Sequence, residues 1–157
     1  MAEFPDYLAE TLFFRLVDYH ALWPNASLET LSGEPSVHGP YATDMVRRVE
    51  EAWRTPLRNL TCEQVRLLLG QRMGLEWLAR PILEFITAYP DAPITNYEGE
   101  MVALALQAAK EINRYAPDEF RRWLNHDVGW IDDVFDWDDE LHRDVSRSLA
   151  SAREHYG

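Results

Sequence analysis

Residues 60–90, LTCEQVRLLLGQRMGLEWLARPILEFITAYP, contain the pattern that decides the fold. Thr61 is a suitable helix N-cap, and Gln64 stands three residues later, where a capping box places its glutamine. Apolar residues then recur at intervals of three and four, the spacing of one helix face. Gly70 predicts the end of this helix, because glycine enters the left-handed conformation without a Cβ penalty.

A second helix in the same stretch is predicted to begin near Gly74. Its apolar residues are Leu75, Leu78, Ile82, Leu83, Phe85 and Ile86. Pro81 lies inside the pattern and removes one backbone donor, so a kink or a restart is expected there. Arg66 and Gln71 on the first helix and Glu84 on the second are expected to form a polar network that ties this hairpin together.

The rest of the chain is also predicted to be helical, because apolar residues recur at helical spacing between clusters of glycine and proline. Helices are expected at about 3–22, 43–53, 98–115, from Pro117 onward, and at about 137–155. The segment 24–42 is expected to be a loop with one helical turn near 27–31. The predicted fold is therefore an all-α, single-domain bundle of six or seven helices over residues 1–157, with no substantial sheet.

Composition limits the classes of protein that fit. The chain has 157 residues, 46% of them apolar, which is enough for one domain with a real core. No apolar run approaches the roughly 18 residues that span a bilayer, and the acidic start MAEFPDYLAE is unlike a secretory signal. The single Cys62 excludes an internal disulfide and a multi-cysteine zinc site. These features favour a cytoplasmic protein.

The charge is strongly negative and unevenly distributed. The formal net charge is -12, and half of the acidic excess lies in residues 125–157. A field of this sign repels nucleic acid and anionic membranes and attracts basic partners. The alternative explanation is that the acidic residues serve only solubility.

Residues 130–140, WIDDVFDWDDE, are the most unusual part of the sequence and are called the acidic segment below. Its acidic residues with its two tryptophans form the predicted partner-binding site: Trp130, Asp132, Asp133, Asp136, Trp137, Asp138, Asp139 and Glu140. Acidic residues around aromatic anchors are typical of a protein-protein interface that faces a basic partner. Two other interpretations stay open. The aromatics could pin a solvated loop to the core while an aspartate caps the last helix, or the oxygens could bind calcium, although the spacing and the glycine of a calcium loop are absent.

Signals for catalysis are weak, and neither an enzyme nor a bound cofactor is expected. Asp139 and His142 have the spacing of an acid–histidine pair in helical metal sites, but a second such pair is missing. Cys62 lies in a helix first turn, where a thiolate is stabilised, yet no histidine follows closely to act as base. An all-α metal-dependent enzyme is therefore kept only as a rival interpretation.

The central stretch resembles the immunity proteins of contact-dependent growth inhibition systems. The motifs that carry the resemblance are Pro56-Leu57, Leu60-Thr61, the run VRLLLGQ at 65–71, Gly74-Leu75, Leu78, Glu84 and Tyr97-x-Gly99-Glu100-Met101. They cover about a third of the chain, from 56 to 104. Glu100 departs from the pattern, which has aspartate at that position.

The resemblance implies a cytoplasmic, non-enzymatic antidote that binds the C-terminal toxin domain of its cognate effector, with 1:1 binding expected. Many such toxins are nucleases with basic surfaces, which an acidic protein could block directly. No nucleic acid, membrane or small-molecule substrate is expected as a partner. The alternative function is a helical adaptor for a cellular protein, and the alternative site is the loop at 24–42.

Overall fold

The computed structural model describes residues 7–17, 25–126 and 129–157. Within these residues the chain forms nine α-helices: α1 Leu28–Ser32, α2 Asp44–Trp53, α3 Cys62–Gly70, α4 Leu75–Ala88, α5 Glu100–Gln107, α6 Ala109–Tyr115, α7 Pro117–Asn125, α8 Trp130–Val134 and α9 Asp139–Tyr156. Three short 3-10 helices span Leu8–Glu10, Phe13–Arg15 and Leu57–Asn59. No strand occurs in the described chain, so the all-α class is confirmed. The expected six or seven helices were too few.

The hairpin of α3 and α4 begins as its sequence predicts. The side chain of Thr61 accepts a hydrogen bond from the backbone of Gln64, and the Gln64 side chain accepts one from the backbone of Thr61. This reciprocal capping box satisfies two of the donors that a helix N-terminus leaves free. Pro81 lies inside α4, which continues to Ala88 without restarting. A restart at Pro81 is therefore excluded, whereas the kink stays a prediction.

The left-handed residue at the end of α3 is not the predicted glycine. Gly70 is the last helical residue, but the left-handed residue is Arg72, with φ 56°. Arg72 N–H donates to the Leu69 carbonyl at 3.0 Å, and Met73 N–H donates to the Leu68 carbonyl at 2.9 Å. These two bonds form a Schellman motif with arginine where glycine is usual. For an L-residue this conformation costs roughly 1–2 kcal/mol.

The N-terminal helix predicted at 3–22 is absent from its described part, residues 7–17. This part forms two 3-10 turns that pair with the start of α3 instead. Phe13 N–H donates to the Leu60 carbonyl at 2.9 Å, and Cys62 N–H donates to the Thr11 carbonyl at 2.8 Å. Tertiary pairing therefore replaces the local helical preference. The remainder of the prediction, at 3–6 and 18–22, lies outside the described residues.

The C-terminal half forms a helical bundle around the hairpin. The helix predicted at 98–115 is divided into α5 and α6 at Ala108, whose ψ is 22°. Pro117 occupies the first turn of α7, as predicted. Helix α4 packs against α5, α6 and α7, while α9 packs against α5, α7 and α8. None of the described helices is long and apolar enough to cross a membrane.

Candidate partner-binding surface

The acidic segment is neither a plain loop nor part of the last helix. Its first residues form α8, residues 135–137 form a turn, and α9 begins at Asp139. The last helix, expected from about Trp137, therefore begins two residues later. Ile131, Val134 and Phe135 are buried and fasten the segment to the core. The side chains between them are directed away from the core, which exposes most of the carboxylates.

Three of the acids have a structural explanation. Asp138 is the N-cap of α9, and its Oδ1 accepts a hydrogen bond from Leu141 N–H at 3.0 Å. Asp139 and Glu140 lie in the first turn of the same helix, where the helix dipole favours negative charge. Both are exposed, whereas Asp138 is half-buried. These three residues would be expected here even without a partner.

The other three acids do not cap a helix, and one of them, Asp132, has a contact with another helix. Asp132, Asp133 and Asp136 are exposed, and α8 is too short to have a substantial dipole. Asp132 Oδ1 lies 2.8 Å from His142 Nε2 on α9, although its side chain is still 80% exposed. This contact joins α8 to α9 at the surface. Asp139, which the sequence paired with His142, is exposed to solvent.

The two tryptophans of the acidic segment have different environments. Trp130 is half-buried and packs against the core. Trp137 is 50% exposed, and its indole N–H donates to the Val134 carbonyl at 3.0 Å. The ring of Trp137 contacts that of Tyr97, with 6.0 Å between the centroids. Trp137 is therefore an oriented aromatic side chain with one part left open to a partner.

The acidic segment rests on the N-terminus of α5 at very close range. Gly99, at φ 80°, precedes that helix. A Cβ atom at this position would lie 2.6 Å from Phe135 Cζ and 2.7 Å from Val134 Cγ1. Only glycine permits both the left-handed conformation and this approach. The glycine of the Tyr97-x-Gly99 motif thus allows the acidic segment to pack against the start of α5.

Glu100, the next residue, is a buried carboxylate with several donors. Its side chain is 2% exposed and accepts hydrogen bonds from Thr95 N–H at 3.2 Å, Asn96 N–H at 3.1 Å and Asn96 Nδ2 at 2.6 Å. Arg66 Nη1 lies 3.4 Å from it. Arg66 therefore ties α3 to α5, and Gln71 Nε2 lies 3.7 Å from Met45 Sδ. The predicted network of Arg66, Gln71 and Glu84 is wrong. Burial of a carboxylate is tolerated here because its charge is paired and hydrogen-bonded.

Tyr97 lies between this buried pair and Trp137 and interacts with both. Burial and then the charge of Glu100 raise the pKa of the Tyr97 phenol. Its ring also contacts the ring of Trp137 in the acidic segment. The sequence showed Tyr97 and Glu100 as parts of a motif but gave no sign that they contact residues more than 30 positions away.

The loop predicted as an alternative site is held against α2. Val37 N–H donates to Glu50 at 2.8 Å, and Arg54 Nη2 donates to the Tyr41 hydroxyl at 3.2 Å. Val37 of this loop and Met45 and Val46 of α2 are among the exposed large hydrophobic residues. We call these three residues the α2 patch. These exposed apolar side chains could also contact a protein partner.

Two features were considered for chemistry, a metal site and the thiol of Cys62. There, no three His, Cys, Asp or Glu side chains gather closely enough to hold a metal ion. Cys62 is buried, and burial raises its thiol pKa to about 12. This thiol therefore stays protonated at neutral pH, and the helix start does not activate it.

No family model, curated protein or solved structure matches the chain. The resemblance of residues 56–104 therefore rests on their motifs. In the structure, Thr61 caps α3, Gly74 precedes α4 and Gly99 packs against the acidic segment.

Proposed function

We propose that this protein is an immunity protein that binds and neutralises the C-terminal toxin domain of a contact-dependent growth inhibition effector. The motifs between residues 56 and 104 support the choice of family. The acidic segment supports the mode of binding. The function is non-enzymatic, requires no cofactor and takes place in the cytoplasm, where a delivered toxin would act.

The observation that carries the binding mode is the exposure of Asp132, Asp133 and Asp136 around the half-exposed Trp137. Carboxylates crowded on one surface repel one another, and a basic partner would relieve that repulsion. An exposed tryptophan offers the large apolar contact area found at the centre of binding hot spots. The two features together fit a partner with a basic surface and an apolar recess.

A nuclease-type toxin has the required surface chemistry. Its active site is built to bind phosphates, and the carboxylates of the acidic segment would occupy the same positions as those phosphates. The net charge of -12 would also accelerate association with a basic protein. Rapid capture matters because the toxin must be bound before it reaches its substrate.

The test is a calorimetric titration against the polypeptide encoded immediately upstream of this gene, at low and at moderate salt. Tight 1:1 binding that weakens with salt is the expected result. Tight binding that is indifferent to salt would keep the immunity function but move the interface to an apolar surface such as the α2 patch. Absence of binding would contradict the proposal and favour an adaptor for a cellular protein.

A further inference from the structure

A separate pocket of about 450 Å³ lies where the ends of four helices meet. The C-terminal ends of α1, α2 and α6, the turn between α3 and α4, and the first turn of α4 supply its walls. None of the residues that line it belongs to the acidic segment. Three aromatic residues and two glutamates are among the lining residues: Trp53, Trp77, Tyr115, Glu34 and Glu76.

The aromatic walls are held in place by the fold. Trp53 is buried, and its indole N–H donates to the Glu34 carbonyl at 2.9 Å. Trp77 and Tyr115 are half-buried and pack against the core. The guanidinium carbon of Arg114 already lies 5.2 Å from the centroid of the Tyr115 ring. The faces of such rings attract cations, and guanidinium groups most readily.

The two carboxylates of the pocket are available to a ligand. Glu34 and Glu76 are both exposed, and neither side chain makes a hydrogen bond or an ion pair with another described residue. A planar cation that stacks on an aromatic wall can also form paired hydrogen bonds to a carboxylate. Aromatic walls with unpaired carboxylates therefore favour a cationic ligand.

One cation, Arg72, also lines the pocket, and it has a partner of its own. Its Nη2 donates to the Gln107 carbonyl at 2.9 Å, at the end of α5. Its left-handed conformation closes the turn between α3 and α4. Gly74 in the same turn packs closely on α1, since a Cβ there would lie 2.7 Å from Leu28 Cδ1. These contacts pre-form the pocket, whose lining includes two glutamates and one arginine, with Arg114 beside it on the Tyr115 ring.

We propose that this pocket binds a guanidinium group. The group would belong either to an arginine side chain of a protein partner or to a free guanidino compound. A guanidinium fits better than an ammonium because it is flat, stacks on tryptophan and tyrosine, and presents several donors in one plane. The strongly negative chain adds a long-range attraction for any cation. This inference does not depend on the toxin-binding function.

The first test titrates the protein with ethylguanidinium, with ethylammonium as the matched cation, and follows the indole N–H signals of Trp53 and Trp77 by NMR. Saturable shifts at millimolar concentrations are expected for ethylguanidinium, with weaker binding of ethylammonium. The double variant Glu34→Gln/Glu76→Gln should bind at least about tenfold more weakly, since charge-assisted hydrogen bonds are lost.

The matched control is Glu10→Gln/Glu154→Gln, which removes two exposed charges that do not line the pocket. It should leave the affinity unchanged. Shifts that do not saturate, equal affinity for the two cations, or equal weakening in both double variants would overturn the proposal, because the effect would then be general electrostatics.

A competition experiment identifies the source of the group. If the upstream-encoded polypeptide displaces ethylguanidinium, an arginine of that partner occupies the pocket. If both bind together, the ligand is a free guanidino compound. Both outcomes preserve the pocket, and both can be read even if the acidic segment proves not to be the interface.

Discussion

The substitution Gly99→Ala tests how tightly the acidic segment is seated on α5. Gly99 has φ 80°, so alanine would adopt the left-handed conformation at a cost of roughly 1–2 kcal/mol. The new methyl group would also lie within 2.7 Å of both Phe135 and Val134. Both neighbours are buried and close-packed, so overpacking should add about 1–3 kcal/mol.

The matched control is Gly33→Ala. Gly33 has nearly the same backbone conformation, φ 75°, but a methyl group there would meet no other atom within 4 Å. The control therefore carries the backbone cost alone, and any effect of alanine on the unfolded chain is common to both variants. The difference between the two isolates the contact with Phe135 and Val134.

Urea denaturation followed by fluorescence would measure the free energy of unfolding of both variants. Gly99→Ala should lose about 1–3 kcal/mol more than Gly33→Ala. Equal losses would refute the reasoning, because they would mean that the acidic segment moves away from α5 at little cost. An acidic segment packed so loosely on α5 could not orient Trp137 for a partner.

Three further predictions concern single side chains. Glu100→Gln should destabilise the fold by about 1.5–3 kcal/mol, because its hydrogen bonds lose their charge. Glu63→Gln should cost less, since Glu63 is not deeply buried, and urea denaturation compares the two variants. Native Cys62 should resist iodoacetamide at pH 8 and react once unfolded. Its thiol ionises near 9.0 when unfolded and near 12 when folded, so its contribution to stability should fall as pH rises through that interval. Asp138→Ala should cost about 1 kcal/mol through the lost helix cap, whereas Asp136→Ala should change stability by less than about 0.5 kcal/mol.

The features that could be predicted from sequence depend on contacts within a few residues. The capping box of Thr61 and Gln64, the start of α4 after Gly74 and the position of Pro117 in α7 all follow local rules. Each signal and its consequence lie within one helical turn. The structure confirms these predictions for that reason.

The features that could not be predicted depend on distant partners. Residues 7–17 have helical periodicity, but their backbone pairs with the start of α3, about 50 positions away. Glu100 pairs with Arg66, 34 positions away in sequence, and the ring of Tyr97 contacts that of Trp137, 40 positions away. A single sequence contains no signal for these contacts. The composition of the acidic segment predicted that it lies at the surface. It did not predict which of its acidic residues cap α9 or lie in the first turn of that helix.

The most direct test of the proposed function reverses the three acids that have no helix-capping role. Asp132, Asp133 and Asp136 would be changed together to lysine, and affinity for the upstream-encoded polypeptide would be measured by calorimetry. The control would reverse three exposed acids of other elements in the same way: Glu10, Asp118 and Glu154. Both variants carry the same net charge.

If the acidic segment is the interface, its reversal should weaken binding at least about a hundredfold, because like charges placed opposite one another cost several kcal/mol. The control should weaken binding much less, through long-range attraction alone. Equal weakening in the two variants, with both folded by circular dichroism, would contradict the account and show that the partner binds elsewhere.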